Sequence, residues 1–363
     1  MGMSVLDSMD IKTAKWKLDK NISKQRTHMY KPIQIAEILH AYRIGTPDVN
    51  PSDLNTYRTK SKRWRNKVTQ NLIGRVSTSS SKYQDDLFDK SAIPPEAITV
   101  LSKENNEKNG IVESYIYHRF KERSGMVQDV NNYIHQKTYS DFNLKEFLRI
   151  FNSHEGLRRS TDKIYEIIVY SLFYTVINYI DLEITLNIKN YEEELMEDFS
   201  EFNTIVLGLN NEEPIQGKKG NIYRLGSTNA ADKGLDMWSN FGPVIQVKHL
   251  SLTEEESEEI SDSLKSDQII IACKSTEKNL INSLITQIGW RNKIQGIVTE
   301  KDLIHWYNLC FTKYQEELGE SLLINLRREF EEEFPYTHKL EVFMVSRNYS
   351  EGQLTGLWSL ESE

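Results

Sequence analysis

The amino-acid sequence predicts an α/β protein in which a mixed central sheet flanked by helices follows a mostly helical, basic N-terminal region. Three observations lead to this prediction. Residues 234–249 have the pattern of a two-strand hairpin, strand and helix patterns alternate through the second half, and the net charge changes sign near the middle of the chain. With 363 residues, 38% of them hydrophobic, the chain is long enough for two domains, predicted at residues 1–152 and 153–363.

The first half is predicted to be helical and basic. Residues 1–150 carry a net charge of +8 and residues 151–363 a net charge of −16, so binding of a polyanion is expected in the first half. Helices are predicted at residues 11–24 and 32–44, and two more are predicted to begin at Pro51 and Tyr57. Between Leu54 and Gln84 there are eight basic residues and no acidic one.

A helix order that ends on a strongly basic helix resembles a helix-turn-helix module, which lays its last helix along DNA. The interpretation places Arg and Lys side chains on phosphates and one or two Arg side chains on base edges. The alternative is a solvated basic helix face followed by a polar loop. The predicted DNA contacts are Arg58, Lys60, Lys62, Arg63, Arg65, Lys67, Arg75, Ser77, Thr78 and Ser79.

The second half is predicted to contain strands and helices in alternation. Strands are predicted at residues 182–188, 222–225, 268–272, 294–298 and 339–346. Helices are predicted at residues 160–180, 192–207, 253–264, 276–289, 301–310 and 315–333. Such an order suits a mixed sheet with helices on both faces.

The hairpin pattern carries the candidate chemistry. Asp236 precedes the turn at residues 240–243, and Gln246 and Lys248 follow it two residues apart, which places both on one face of a strand. A carboxylate, an amide oxygen and an ammonium that converge in this way can hold a divalent cation and polarise a phosphodiester. The alternative is an edge hairpin whose polar side chains face solvent.

The helix at residues 160–180 is apolar almost all round, which is typical of a helix buried against a sheet. Glu166 is its only acidic residue after Asp162. A buried carboxylate requires a partner, and a metal site at the hairpin would supply one. The alternative is a Glu at the helix margin that pairs with a lysine.

The hairpin has the pattern of the PD-(D/E)xK nucleases: Asp236, nine intervening residues, and then Gln246-Val247-Lys248. A Gln in place of the usual acidic residue resembles the Mrr-like branch of that superfamily, in which a preceding helix contributes a Glu. The resemblance implies a PD-(D/E)xK core in the second half of the chain.

The two cysteines, Cys273 and Cys310, lie in apolar surroundings without metal-ligand spacing. Both are therefore predicted to be reduced core residues. No membrane-spanning segment and no apolar secretory leader are expected, so the predicted location is cytoplasmic.

Three further segments carry a closer resemblance: residues 30–39 (YKPIQIAEIL), 57–65 (YRTKSKRWR), and 74–80 (GRVSTSS) running on to 86–88 (DLF). With them, the chain resembles the HaeII-type family of type II restriction endonucleases. The family implies an Mg²⁺-dependent, sequence-specific double-strand cut, made by a homodimer on double-stranded DNA at a site of the form purine-GCGC-pyrimidine.

Under this interpretation Asp236 is the principal metal ligand, Gln246 contributes its side-chain oxygen, and the Val247 carbonyl completes the shell. Lys248 holds or deprotonates the attacking water or offsets charge on the phosphorus, and Glu166 acts through a metal-bound water. Two alternatives remain from the sequence alone: a structure-specific repair or recombination nuclease, and a non-catalytic helix-turn-helix regulator.

Overall fold

The computed structural model describes residues 9–209, 215–225, 235–251, 268–275, 294–336 and 339–360. Its first half is helical, as predicted. The helices there are α1 (Ile11–Ser23), α2 (Tyr30–Arg43), α3 (Leu54–Ile73), α4 (Ser81–Asp85), α5 (Pro95–Glu107), α6 (Ile111–Gln136) and α7 (Leu144–Ser153). Side-chain caps begin several of them: Asp10 accepts from the Thr13 amide and Asp53 from the Asn55 amide.

The basic stretch forms one helix, and the prediction of separate helices beginning at Pro51 and Tyr57 is wrong. Asp53 caps α3 at its start, and Gly74 ends it with a φ of 68°, a left-handed conformation that favours glycine. The α2–α3 connection, residues 44–53, is also longer than the three or four residues of a helix-turn-helix turn. The segment therefore does not have the helix-turn-helix connection that the sequence pattern predicted.

The second half is built on a five-stranded mixed sheet, in agreement with the predicted α/β class. Its strands lie in the order β3-β4-β5-β6-β7, antiparallel from β3 to β5 and parallel from β5 to β7. A separate antiparallel ribbon pairs β1 with β2. The strands are β1 (Glu183–Asn187), β2 (Ile215–Lys219), β3 (Ile222–Arg224), β4 (Met237–Ser239), β5 (Val244–Ser251), β6 (Ile269–Ser275) and β7 (Ile294–Thr299).

Helices cover one face of this sheet. Met237, Ile245, Val247, Ala272 and Val298 pack into a core with the apolar side chains of the helices. The helices of this half are α8 (Thr161–Tyr179), α9 (Glu193–Asp198), α10 (Ser200–Phe202), α11 (Glu300–Thr312), α12 (Glu320–Glu333) and α13 (Lys339–Ser346). The two helices predicted at residues 253–264 and 276–289 lie outside the described residues.

The C-terminal segment corrects the strand predicted at residues 339–346. Residues 339–346 form helix α13 and not a strand, because Leu340 and Met344, one turn apart, pack together into a core. That core belongs to the first half: it combines buried residues between 14 and 120 with Leu340, Met344, Tyr349, Leu354 and Trp358. A second core runs from Val127 to Phe334.

The division into domains at residues 152 and 153 stays a prediction, and the two cores describe only how the buried side chains group. The change from one core to the other falls inside α6, and the chain crosses back after α12. No described helix is both long enough and apolar enough to span a lipid bilayer. Cys273 and Cys310 are buried and free, as expected of core residues.

Candidate functional site

The predicted hairpin is present, and Asp236 lies at its open end. Met237 pairs with Ile245 and Trp238 with Val244 across the antiparallel β4–β5 ladder. Just before β4, the Asp236 amide donates to the Ile245 carbonyl at 3.3 Å, and the Val247 amide donates to Asp236 Oδ2 at 2.8 Å. The carboxyl of Asp236 is thus fixed against the backbone of β5.

The alternation along β5 places its side chains as the sequence predicted. Ile245 and Val247 enter the core beneath α8, so Gln246 and Lys248 point to the other face of the strand. Gln246 is 4% exposed, and its buried Oε1 has no hydrogen-bond partner among the residues that the structure describes. A buried amide oxygen without a partner carries a free-energy cost that a ligand at this position would remove.

Helix α8 carries Glu166 close to the Asp236 carboxyl. The Glu166 carboxylate is 2% exposed, and Lys163, one turn earlier, donates to both of its oxygens at 2.6 and 2.8 Å. The lysine partner of the alternative interpretation is therefore present. Glu166 is nevertheless buried and not marginal, and it lies close enough to Asp236 for the charge of Asp236 to act on it.

These two buried carboxyls have perturbed pKa values because they lie close together. Burial raises the pKa of Glu166, and the adjacent charge of Asp236 raises it further, to about 8, against the opposing effect of Lys163. Burial also raises the pKa of Asp236, although the Val247 amide, Lys163 and Lys248 favour its ionised form. Near neutral pH the pair retains a proton, and a cation in its place would allow both groups to ionise.

The charged residues that surround Glu166 were not predicted as site residues from the sequence. Arg224 on β3 is buried, and it bonds Glu329 at 3.0 Å and Glu333 at 3.1 Å on α12, with Glu166 at 4.0 Å. A lysine partner was anticipated as the alternative, but Lys163 was not named, although its position one turn before Glu166 is a signal for a pair. For Arg224 no local signal exists, since its partners lie more than 100 residues later.

The donor set fits a hard divalent cation. Asp236 and Glu166 supply carboxylate oxygens and Gln246 an amide oxygen. The Val247 carbonyl points to the same edge of β5 as its amide, which faces Asp236. Among the residues that the structure describes, no group of three or more His, Cys, Asp or Glu side chains forms a metal centre. One or two carboxylates with retained waters are typical of Mg²⁺, whereas Zn²⁺ prefers histidine and cysteine.

The predicted DNA contact at Arg65 is corrected by its burial. Arg65 is 1% exposed, and it donates to Gln34 Oε1 at 2.7 Å and to Gln84 Oε1 at 2.8 Å. Burial lowers its pKa to about 10, so it stays cationic at neutral pH. Arg65 joins α2, α3 and α4 from the inside and presents no surface to a nucleic acid.

The other basic residues of α3 fall into two groups. Arg58 and Lys62 form ion pairs with Asp85 at 2.9 and 2.7 Å, and Asp85 is the last residue of α4. Lys60, Arg63 and Lys67 are exposed and spaced by three and four residues, so they share one face of the helix.

The loop after α3 lies against the second half of the chain. Arg75 donates to the backbone carbonyl of Glu332 on α12, the helix whose Glu329 and Glu333 bind Arg224. In this loop Thr78 is exposed, whereas Ser77 and Ser79 are half-buried. Contacts between described residues thus connect the predicted DNA-contact loop to the neighbourhood of Glu166.

An α/β chain with a mixed sheet, two buried carboxyls and an unpartnered amide oxygen at a hairpin has the architecture and donor groups consistent with a restriction endonuclease. The family model of the HaeII restriction endonuclease matches residues 14–349. The type II restriction enzyme HaeII of Haemophilus aegyptius is 45% identical over 344 residues, covering 94% of this chain and 97% of the relative. The type II restriction enzyme NgoBI of Neisseria gonorrhoeae is 44% identical over 337 residues, covering 93% and 95%.

The chain belongs to the HaeII restriction endonuclease family. It is a type II site-specific deoxyribonuclease, and its substrate is DNA. No solved structure shows significant similarity to it. Enzymes of this class generally use divalent metal ions.

Proposed function

We propose that the hairpin and α8 form the catalytic centre of a PD-(D/E)xK nuclease core. Asp236, Gln246 and the carbonyl of Val247 would hold Mg²⁺, and Glu166 would act through a metal-bound water. When bound, the ion supplies a Lewis acid and an activated water for phosphodiester hydrolysis. The juxtaposition of the Asp236 carboxyl with both Glu166 and the Val247 amide carries this proposal.

The remaining catalytic and positioning roles fall to side chains of the protein. Lys248, whose charge acts on Asp236, orients or deprotonates the attacking water or offsets charge on the phosphorus. Lys163 and Arg224 neutralise and position Glu166. Gln246 in place of an acidic residue leaves one negative charge fewer among the ligands, so Glu166 carries more of the charge balance.

The direct test is Asp236→Asn, which keeps the shape and an acceptor for the Val247 amide but removes the charge. We expect single-turnover cleavage to fall on the order of a thousandfold or more, with DNA binding largely unchanged. Cleavage and binding are measured on the same duplex, with binding assayed in Ca²⁺. Asp129→Asn, on an exposed position of α6, is the matched control. A variant at position 236 that cuts at the wild-type rate would remove this residue from the centre.

The DNA is proposed to lie along the exposed face of α3 and the loop after it. Lys60, Arg63 and Lys67 are exposed on that face, where Lys60 Nζ also reaches the Asp48 carbonyl at 3.5 Å, and Thr78 is an exposed residue of the loop. Arg58, Lys62, Arg75, Ser77 and Ser79 already have partners or are partly buried, and they would contact phosphates only after local rearrangement. Arg65 is excluded from this surface by its burial.

We also propose that the sequence cut is of the form purine-GCGC-pyrimidine and that a homodimer cuts it. The support is the family resemblance of residues 30–39, 57–65 and 74–80. Digestion of a plasmid of known sequence with Mg²⁺, followed by sequencing of the fragment ends, tests the site. Ends that share another motif would contradict this recognition sequence without affecting the catalytic centre.

A further inference from the structure

Two exposed aromatic side chains form a pair on the sheet. Tyr223 on β3 and Trp238 on β4 lie directly opposite each other in the antiparallel ladder. Their rings are stacked, with centroids 4.4 Å apart and planes at 20° to each other. The two side chains are nevertheless 38 and 39% exposed. A cross-strand contact of this kind stabilises a sheet, and its exposed part is also an apolar surface that a ligand can contact.

The register places this pair on the same face of the sheet as Gln246 and Lys248. Trp238 pairs with Val244, and side chains directly opposite each other point to one face. Gln246 and Lys248 follow Val244 at intervals of two residues, so they share that face. Asp236 precedes Trp238 by two residues, about 7 Å of extended chain. The aromatic pair therefore adjoins the candidate metal ligands, on the side toward the hairpin turn.

A cation lies on each side of the aromatic pair. Lys248 is on one side, and the turn of the hairpin lies near Lys219 on the other, because Asn240 Nδ2 donates to the Lys219 carbonyl at 2.9 Å. The Lys219 ammonium is 3.7 Å from the Asp181 carboxylate, but its side chain is 59% exposed, and an exposed ion pair of this kind is weak. Cations that flank an aromatic surface are typical of proteins that follow a nucleic acid strand and stack its bases.

The exposed area of the pair is that of a contact with one nucleotide. A Trp and a Tyr that are each about 40% exposed present on the order of 150 Å². One partner in a stable protein complex buries about 800 Å², so this surface is too small to hold a protein by itself. Because the two rings already hold each other in place, little side-chain entropy is lost when a base packs against them.

The spacing fits a nucleotide close to the phosphate that is cut. Bases along one strand are about 3.4 Å apart, so the separation of about 7 Å corresponds to about two nucleotides. We propose that the pair formed by Tyr223 and Trp238 is a stacking platform for one DNA base that leaves the duplex stack beside the cut phosphate. The position beside the cut rests on the catalytic centre proposed above, whereas the stacking itself does not.

The affinity of the full chain for a duplex that it cuts, measured in Ca²⁺, tests the inference through paired changes in protein and DNA. Each nucleotide around the cut phosphate is replaced in turn by an abasic one, and every duplex is titrated with the wild type and with Trp238→Ala. On the intact duplex we expect Trp238→Ala to weaken binding about tenfold, the effect of one stacked base. On one abasic duplex, altered within about two nucleotides of the cut, the same substitution should have no effect. Trp238→Phe keeps an aromatic face and should retain most of the affinity.

The matched control is Trp306→Ala, at a position of α11 that is 37% exposed, and it should bind every duplex as the wild type does. Urea unfolding verifies that each variant is folded. If Trp238→Ala binds the intact duplex like the wild type, the pair is only a cross-strand or protein contact, and the inference is overturned. An equal loss on all duplexes would also overturn it, because the pair would then act only through the shape of the hairpin. Coupling to a base far from the cut would contradict the catalytic centre proposed above and would support the platform.

Discussion

Glu113 and Glu166 are both almost fully buried, yet their surroundings shift their pKa values in opposite directions. Glu113 receives hydrogen bonds from Arg43, His40, Tyr349 and Asn105. Burial alone would raise the pKa of Glu113, but these donors outweigh it and lower the pKa to about 2. Glu166 has one close ammonium and a neighbouring carboxyl, and its pKa is raised to about 8. The first is a completed structural ion cluster, whereas the second faces a carboxyl whose charge a bound cation would offset.

The lowered pKa of Glu113 predicts a component of acid unfolding. A carboxyl with a pKa of about 2 when folded and an ordinary value of 4.5 contributes stability above pH 4.5, and this contribution is lost as the pH falls toward 2. The loss amounts to about 3 kcal/mol. Urea unfolding at a series of pH values should show this slope in the wild type and a flatter profile in Glu113→Gln. Glu107→Gln, an exposed position, should match the wild type; equal profiles for all three would contradict the prediction.

At this scale, the accuracy of the sequence prediction depended on how local the signal was. Glu166 was identifiable because it is the one carboxylate after Asp162 in an otherwise apolar helix. The burial of Arg65 was not, because Gln34 and Gln84, which bind it, lie 31 and 19 residues away and no local pattern joins the three.

At the scale of elements, α3 separates a binding face from a packing face. Arg63→Ala should weaken DNA binding and reduce the slope of log affinity against log salt by about 1, with the free energy of unfolding within about 0.5 kcal/mol of wild type. Arg65→Ala should instead lower the free energy of unfolding by about 1–3 kcal/mol, because Gln34 and Gln84 lose their donor.

Duplex titrations at several salt concentrations and urea unfolding distinguish these two effects. If Arg63→Ala leaves both affinity and salt slope unchanged, the exposed face of α3 is only solvated. If Arg65→Ala leaves stability unchanged, its buried hydrogen bonds do not hold α2, α3 and α4 together.

Helix α8 and the β4–β5 hairpin were predicted almost to the residue, whereas α13 was mistaken for a strand. The first two carry strong local patterns: a long apolar helix and two apolar segments around a turn. The segment 339–346 is short and its apolar residues are consecutive, a pattern that suits either a helix or a strand. Their helical state follows from packing on residues more than 200 positions earlier, which a local pattern does not contain.

At the scale of the whole molecule, the described residues form two large cores and a small third cluster of Ile269, Ile271 and Cys273, and the C-terminal segment closes the first large core. Trp358 is fully buried there, packs on Tyr115 at a ring distance of 5.4 Å and donates to Glu104 Oε1 at 3.0 Å. The boundary inside α6 had no sequence signal, because one helix continues through it.

Trp358→Ala should therefore destabilise the first core selectively. We expect a loss of about 3–5 kcal/mol, as for other large aromatic side chains removed from a core. Hydrogen exchange should accelerate in α1, α5 and the start of α6, and less in α8 and α12. Leu357→Ala, at a position 38% exposed, is the control. Equal acceleration in both halves would show that the two cores unfold as one unit.

The central claim is that the hairpin holds the metal, and Gln246 tests it most directly because its buried Oε1 has no hydrogen-bond partner in the described part of the chain. The measurement is the single-turnover cleavage rate across a series of Mg²⁺ and Mn²⁺ concentrations for Gln246→Leu and Gln246→Glu. Gln136→Leu, at the exposed end of α6, is the control. Leu deletes the oxygen, so the metal requirement should rise steeply or cleavage should stop. Glu restores an acidic ligand, so this variant should bind the metal more tightly, Mn²⁺ more so than Mg²⁺, and should retain cleavage. A Leu variant that cuts at the wild-type rate and at the wild-type Mg²⁺ concentration would contradict the assignment of this hairpin as the active site.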